Sequence, residues 1–163
     1  YPNLRKIKPD IILVSNTGFG HGGGPYSNNP AQATTLEGMH GHCWITGYDG
    51  DGPNRVGASF VDFLSTWTAL FAIGSALRYR SRTGQGQWAD IAMYQAGVMF
   101  MSDYLMDAIS NGRDGERIGN RHPYRAPQGR YPAKGDNEWI ALSVGTDEQW
   151  QSLCTVLGRA DLA

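Results

Sequence analysis

The chain has 163 residues, 40% of them hydrophobic and 18% charged, with 15 acidic against 14 basic side chains. This is the composition of a folded globular protein, and a formal net charge of −1 leaves no electrostatic footprint for nucleic acid or an anionic membrane surface. The longest apolar stretches are expected to fall short of a membrane span.

In chain order, Ile11 to Ser15 is a short apolar run closed by Asn16-Thr17-Gly18, which predicts a buried strand. Gly18 to Pro30 is a loop rich in Gly, Asn and Pro, Ala31 to Met39 a short helix, and Gly47 to Pro53 a second turn-rich loop. The clearest helix follows. Val61, Leu64, Thr68, Phe71, Ser75 and Arg78 recur at three- and four-residue steps, and Ala69, Ala72, Ala76 and Leu77 favour helix. Arg78, Arg80 and Arg82 crowd its C-terminal end, and Gly84 supplies a C-cap. Trp88 to Met93 alternates like a strand, and the segment from Tyr94 to about Ile109 reads as helical. Asn111 to Pro132 is a long polar loop, Trp139 to Val144 a strand, and Thr146 with Gln149 a capping box opening a helix through Leu157. The order is mixed α/β. A composition shift near Asn111 separates residues 1–110 from residues 111–163.

The run Gly18-Phe19-Gly20-His21-Gly22-Gly23-Gly24 after the first strand admits three chemistries. Gly18, Gly20 and Gly23 fit the dinucleotide spacing, but that motif needs a helix opening from the glycines, and Pro25 to Pro30 postpones any helix. His21 to Gly24 matches an esterase oxyanion-hole signature. The nearest nucleophile elbow, Gly57-Ala58-Ser59-Phe60-Val61, lacks its second glycine, and His122 sits in a polar loop beside Pro123. The third reading is structural: glycines that permit positive φ and close backbone approach.

The two lone cysteines, Cys43 and Cys154, form neither a disulfide framework nor a CxxC site, and they favour a reducing compartment, so the cytoplasm is the expected location. His40, His42 and Cys43 do not complete a metal set, so packed or surface histidines are expected there and no metal ligand is assigned. The sequence begins without Met and stops just past an amphipathic stretch, which reads as a piece of a longer protein; the lack of a targeting signal then carries no weight.

Several motifs together resemble one family. They are Gly18-Phe19-Gly20 and Gly24-Pro25-Tyr26 after a strand, Thr46-Gly47, Gly52-Pro53, and Arg55 through Asp62. Next come Arg82-Thr83-Gly84-Gln85-Gly86-Gln87 leading into Ala89-Asp90-Ile91-Ala92-Met93, then Gly119-Asn120-Arg121-His122-Pro123 and Ala126-Pro127. In this order and spacing the chain resembles the class III CoA-transferases, the group that includes formyl-CoA and carnitine CoA-transferases. The resemblance covers nearly the whole chain and implies its central part. The implied fold is α/β: residues 1–110 as the C-terminal part of a Rossmann-like large domain, and residues 111–163 as a linker and the start of a small domain.

The resemblance also implies a chemistry. The family nucleophile is an aspartate six residues after the valine of a V-G-x-x-x-x-D-like stretch, which here is Val56 to Asp62. It implies that Asp62 becomes an aspartyl-CoA thioester while CoA moves from an acyl-CoA to a free carboxylic acid, with CoA as substrate and no resident cofactor. An interlocked homodimer, without nucleic acid or membrane, is the implied assembly. Without the resemblance, Asp62 at a helix start reads as an N-cap. The lid loop of formyl-transferring members maps onto Arg121 to Gln128, which lacks their glycine run, and Tyr124 and Arg125 are its candidates for acyl contact. The α-methylacyl-CoA racemases share the fold and carry a His-Asp motif where this chain has Gln32 and Ala33. Gln32 cannot serve as a base, which sets racemase below transferase and leaves Gln32 as a substrate-binding candidate. A non-catalytic CoA-binding fragment is the remaining alternative.

Overall fold

The computed structural model describes residues 1–163. The chain divides into two compact units, Tyr1–Thr46 with Gly52–Glu116, and Gly47–Asp51 with Arg117–Ala163.

The first unit is built on two parallel strands, β1 (Leu13–Thr17) and β2 (Trp88–Ala92), in register from Leu13 opposite Trp88 to Thr17 opposite Ala92. A parallel pair demands a long crossover, and here it contains α2 (Ala33–Met39), α3 (His42–Ile45) and α4 (Phe60–Thr83). α1 (Pro2–Ile7), with Pro2 at its first position, precedes β1 and was not foreseen. The short α3 was not foreseen either.

The segment expected to be helical from Tyr94 to about Ile109 holds two helices, α5 (Met93–Phe100) and α6 (Ser102–Asn111). They meet at Met101, whose backbone (φ −95°, ψ 16°) leaves the helical basin and whose N–H is shared between the carbonyls of Gly97 and Val98. Met101 is itself buried, so packing sets the break.

α4 ends as expected, with Gly84 left-handed (φ 72°) and its N–H donated to the Arg80 carbonyl at 2.8 Å. Its buried face is not the stripe through Phe71, which is 79% exposed, but the line Val61, Ser65 and Ala76. α4 also corrects the expectation about apolar length. Its 24 residues are long and apolar enough to cross a membrane by length and composition alone, a property shared by helices that pack inside protein cores. Around α4 the core gathers Leu36, Glu37, His40, His42, Ile91, Ala92 and Ala96.

The second unit holds an antiparallel pair, β3 (Gln128–Pro132) and β4 (Trp139–Ser143), with Gln128 opposite Ser143 and Pro132 opposite Trp139. The loop expected to run to Pro132 therefore ends in a strand. Gly129 and Pro132 disguise β3, because both residue types are depleted in strands, and the pairing is supplied by β4. α7 (Asp147–Leu157) starts at Thr146, whose Oγ1 accepts the Gln149 N–H at 3.3 Å. Gln149 Oε1 in turn accepts the Gly145 N–H at 2.8 Å, one residue ahead of the usual capping-box partner. The loop Gly47–Asp51 belongs to this unit, and Tyr48 Oη accepts from Asn120 Nδ2 and Arg130 Nη2, both at 3.2 Å.

Candidate active site

The glycine run is explained by what surrounds it. A Cβ on Gly18 would collide with the Ala31 side chain, so only glycine lets the chain leave β1 beside the start of α2. The next turn is pinned from two sides: the Gly20 N–H donates to Thr17 Oγ1 at 3.1 Å, and the His21 N–H donates to Asp90 Oδ2 at 2.6 Å. Asp90 lies on β2, so the strand after Gln87 holds the loop after β1. Gly86 follows the same logic, because a Cβ there would strike the Ile11 carbonyl. No helix opens from the glycines, since α2 begins at Ala33, and the dinucleotide geometry is not formed.

A cavity of about 370 Å³ opens at this loop, lined by Gly18, Gln32, Thr34, Ser59, Asp62 and Met93 among others. Gly18 directly follows β1, and Met93 directly follows β2 and starts α5. Gln32 is the residue before α2, extended at φ −133° and ψ 151°, with no capping bond from its side chain. Ser59 is the N-cap of α4, and Asp62 is the third residue of that helix. The cavity thus lies beyond the carboxyl ends of two parallel strands and at the amino ends of three helices, the place where open α/β sheets put their ligand sites.

Asp62 is half-buried and carries the only carboxylate among the cavity residues. Its N–H donates to the Ser59 carbonyl at 3.1 Å, so Ser59 and not Asp62 holds the N-cap position expected of a purely structural aspartate. Ser59 adopts a left-handed backbone (φ 58°, ψ 40°) and makes no capping bond. The carboxylate is left without a hydrogen bond or ion pair to the protein, in the field of the α4 amino end, which favours an anion. A carboxylate so placed is suited to nucleophilic attack. Gln32, which contributes an amide donor and acceptor, lines the same cavity.

Tyr124 and Arg125 stand in the second unit. Tyr124 is 86% exposed and its N–H donates to His122 Nδ1 at 3.1 Å, while Arg125 Nη1 donates to Ser143 Oγ at 3.1 Å. Together with Thr146 and Gln149 they line a cavity of about 430 Å³ at the start of α7.

The family model of CoA-transferase family III matches residues 1–163. The chain belongs to that family. It is 37% identical over its whole length to an acetyl-CoA:oxalate CoA-transferase from Acetobacter aceti, covering 41% of that protein. It is 32% identical, again over its whole length, to a succinate–glutarate CoA-transferase from Agrobacterium fabrum, covering 40% of it. A crystal structure of a CaiB/BaiF family protein from Brucella suis superposes on all of the chain and 42% of that protein, with a TM-score of 0.85 and 33% identity. The chain of this family III member spans about two fifths of the length of the curated relatives it matches.

Two features near this cavity carry no signal in the sequence. Glu37, 1% exposed on α2, accepts from Arg55 Nε at 3.0 Å, which ties the helix that Gln32 precedes to the segment leading into Ser59 and Asp62. Nothing in Leu36-Glu37-Gly38 marks a buried charge. Asn16 donates through Nδ2 to Ser65 Oγ of α4 at 3.2 Å; the expected strand ends at Ser15, and β1 runs on through Asn16 to Thr17. His40 and His42 are packed, each 8% exposed, with rings 5.8 Å apart. Burial lowers both imidazoles below the ordinary range.

Proposed function

We propose that the protein containing this chain moves CoA from an acyl-CoA to a free carboxylic acid, with Asp62 as the covalent carrier. The observation that carries this reading is the unengaged Asp62 carboxylate in a cavity at the strand ends of a CoA-transferase family III chain.

The steps follow from carboxylate chemistry. The Asp62 carboxylate adds to the thioester carbonyl and expels CoA thiolate, leaving a mixed anhydride. The thiolate then attacks the Asp62 acyl carbon, releases the donor's carboxylate and forms the aspartyl-CoA thioester. The acceptor carboxylate attacks that thioester, giving a second mixed anhydride and thiolate again. Thiolate attack on the acceptor's acyl carbon yields the new acyl-CoA and restores Asp62. Each step exchanges one acyl bond for another, so no redox partner or resident cofactor is needed. Gln32 lines the same cavity as Asp62, and its amide is the proposed donor to an oxygen of the reacting carbonyl, where a donor stabilises developing negative charge.

Tyr124 and Arg125 are proposed to contact the acyl end, Arg125 through a guanidinium suited to carboxylates. The relatives' names point to short acids, oxalate in one and succinate and glutarate in the other, and a small dicarboxylic acid is the acceptor class proposed here. An interlocked homodimer in the cytoplasm, with residues 1–110 in the large domain and 111–163 opening the small one, completes the reading.

The test uses the full-length protein. Incubated with acetyl-CoA or succinyl-CoA, the wild type is expected to gain covalently the mass of CoA less one water, and Asp62→Asn to gain none. Exchange of the substrate α-proton with deuterated solvent, with no adduct, marks a racemase and overturns the assignment.

A further inference from the structure

The Asp62 turn is wired to β1 through one buried hydroxyl. Ser65, 0% exposed, lies one turn after Asp62 on the same helix face. Its Oγ donates to the Asp62 carbonyl at 3.0 Å and accepts from Asn16 Nδ2 at 3.2 Å. A serine hydroxyl has a single proton, so the relay has one direction: amide to hydroxyl to carbonyl. Asn16 stands next to Thr17, the residue whose Oγ1 holds the Gly20 N–H of the glycine turn. The end of β1 therefore reaches both walls of the 370 Å³ cavity, the Gly18 side through Thr17 and the Asp62 side through Asn16.

The geometry points to Asn16 and Ser65 as positioning residues that set where the Asp62 carboxylate stands relative to the glycine turn. This rests on reading Asp62 as the nucleophile. Thr66 provides the internal contrast. Its Oγ1 also donates to the Asp62 carbonyl, at 2.7 Å, but it is exposed and bonds only within its own helix. It occupies the carbonyl without tying the turn to the strand. An offset of about 1 Å at a reacting group costs on the order of a hundredfold in rate, so the tie to the strand, and not carbonyl occupancy, is what catalysis should register.

The experiment measures aspartyl-CoA formation in a single turnover of full-length protein with succinyl-CoA, normalised to folded protein, together with kcat and KM. Ser65→Ala is expected to slow adduct formation by roughly tenfold to a hundredfold, with KM within about twofold. Asn16 is solvent-exposed, so Asn16→Ala and Asn16→Asp test the same tie where folding is not at stake. Asn16→Ala is expected to slow the step by about threefold to tenfold. Asn16→Asp is expected to be at least as slow, because a carboxylate only accepts and draws the Ser65 proton away from the Asp62 carbonyl. The Asn16→Ala and Ser65→Ala losses should be less than additive when combined. Thr66→Ala is expected to remain within about twofold of wild type. Wild-type adduct rates in both Asn16 variants overturn the positioning role, as does a Thr66→Ala loss equal to that of Ser65→Ala. Absence of any adduct in the wild type overturns the nucleophile reading itself, a result distinct from either.

Discussion

Two of the cavities that hold candidate site residues are built in opposite ways. The one around Asp62 is made of backbone and core: Gly18 pressed against Ala31, Asp90 gripping the His21 amide, and Glu37 and Ser65 fully buried behind it. The one around Arg125 joins an exposed loop to the end of β4 and the start of α7: Tyr124 stands 86% exposed, and the Arg125 side chain donates one hydrogen bond, to Ser143. A rigid frame of the first kind suits a group whose position decides a covalent step, and an exposed loop suits contacts that adapt to different acids.

The largest expected difference is chemical. Asp62→Asn should lower CoA transfer by about 10⁴-fold or more in steady-state assays of the full-length protein, as removal of a covalent nucleophile does, whereas Tyr124→Phe should keep kcat within about tenfold. Comparable losses in the two would erase the distinction. Next is Arg55→Ala, which strands the buried Glu37 carboxylate. Denaturant unfolding should show a loss of about 3 kcal/mol, against about 0.5 kcal/mol for Arg125→Ala on the exposed loop.

Glycine replacement sharpens the contrast further. Gly18→Ala drives a methyl into Ala31 and should cost about 1–3 kcal/mol. At Gly129 an added Cβ would meet the Tyr131 ring at an ordinary 3.6 Å, and Gly129→Ala should stay within about 1 kcal/mol.

The smallest effect is on pH. Burial holds His40 and His42 below the ordinary imidazole range in the folded protein, while the unfolded chain takes up those protons near pH 6.5, roughly the free value. The unfolded state then binds more protons as pH falls, so this contribution is complete above about pH 6.5 and is lost below it. Unfolding midpoints measured from about pH 8 to about pH 5 should be level at first and then drop, with a shallower drop when His40 and His42 are both replaced by Asn. An unchanged slope in that variant would contradict the assignment.

The first cavity was also the more legible one in sequence. The strand before Gly18, the long helix with its Gly84 cap, and the strand after Gln87 all carry local signals, and the motifs joining them bear their reasons in close backbone approach at Gly18 and Gly86. What stayed hidden depends on three-dimensional pairing. β3 is invisible without β4, because its Gly129 and Pro132 argue locally for a loop. The buried line Val61, Ser65 and Ala76 on α4 cannot be picked from a helix that is apolar on most faces. Glu37 and Arg55 are 18 residues apart, and Asn16 and Ser65 are 49 apart; neither pair leaves a periodic trace.

Hydroxylamine trapping tests the central claim most directly. The reagent cleaves anhydrides and thioesters and leaves ordinary carboxylates intact. Added with acyl-CoA to the full-length enzyme, it should inactivate the protein and place a hydroxamate at Asp62, located by mass spectrometry on the peptide containing Val56 to Leu64. Full activity with no hydroxamate on that peptide, while CoA transfer proceeds, would contradict the account.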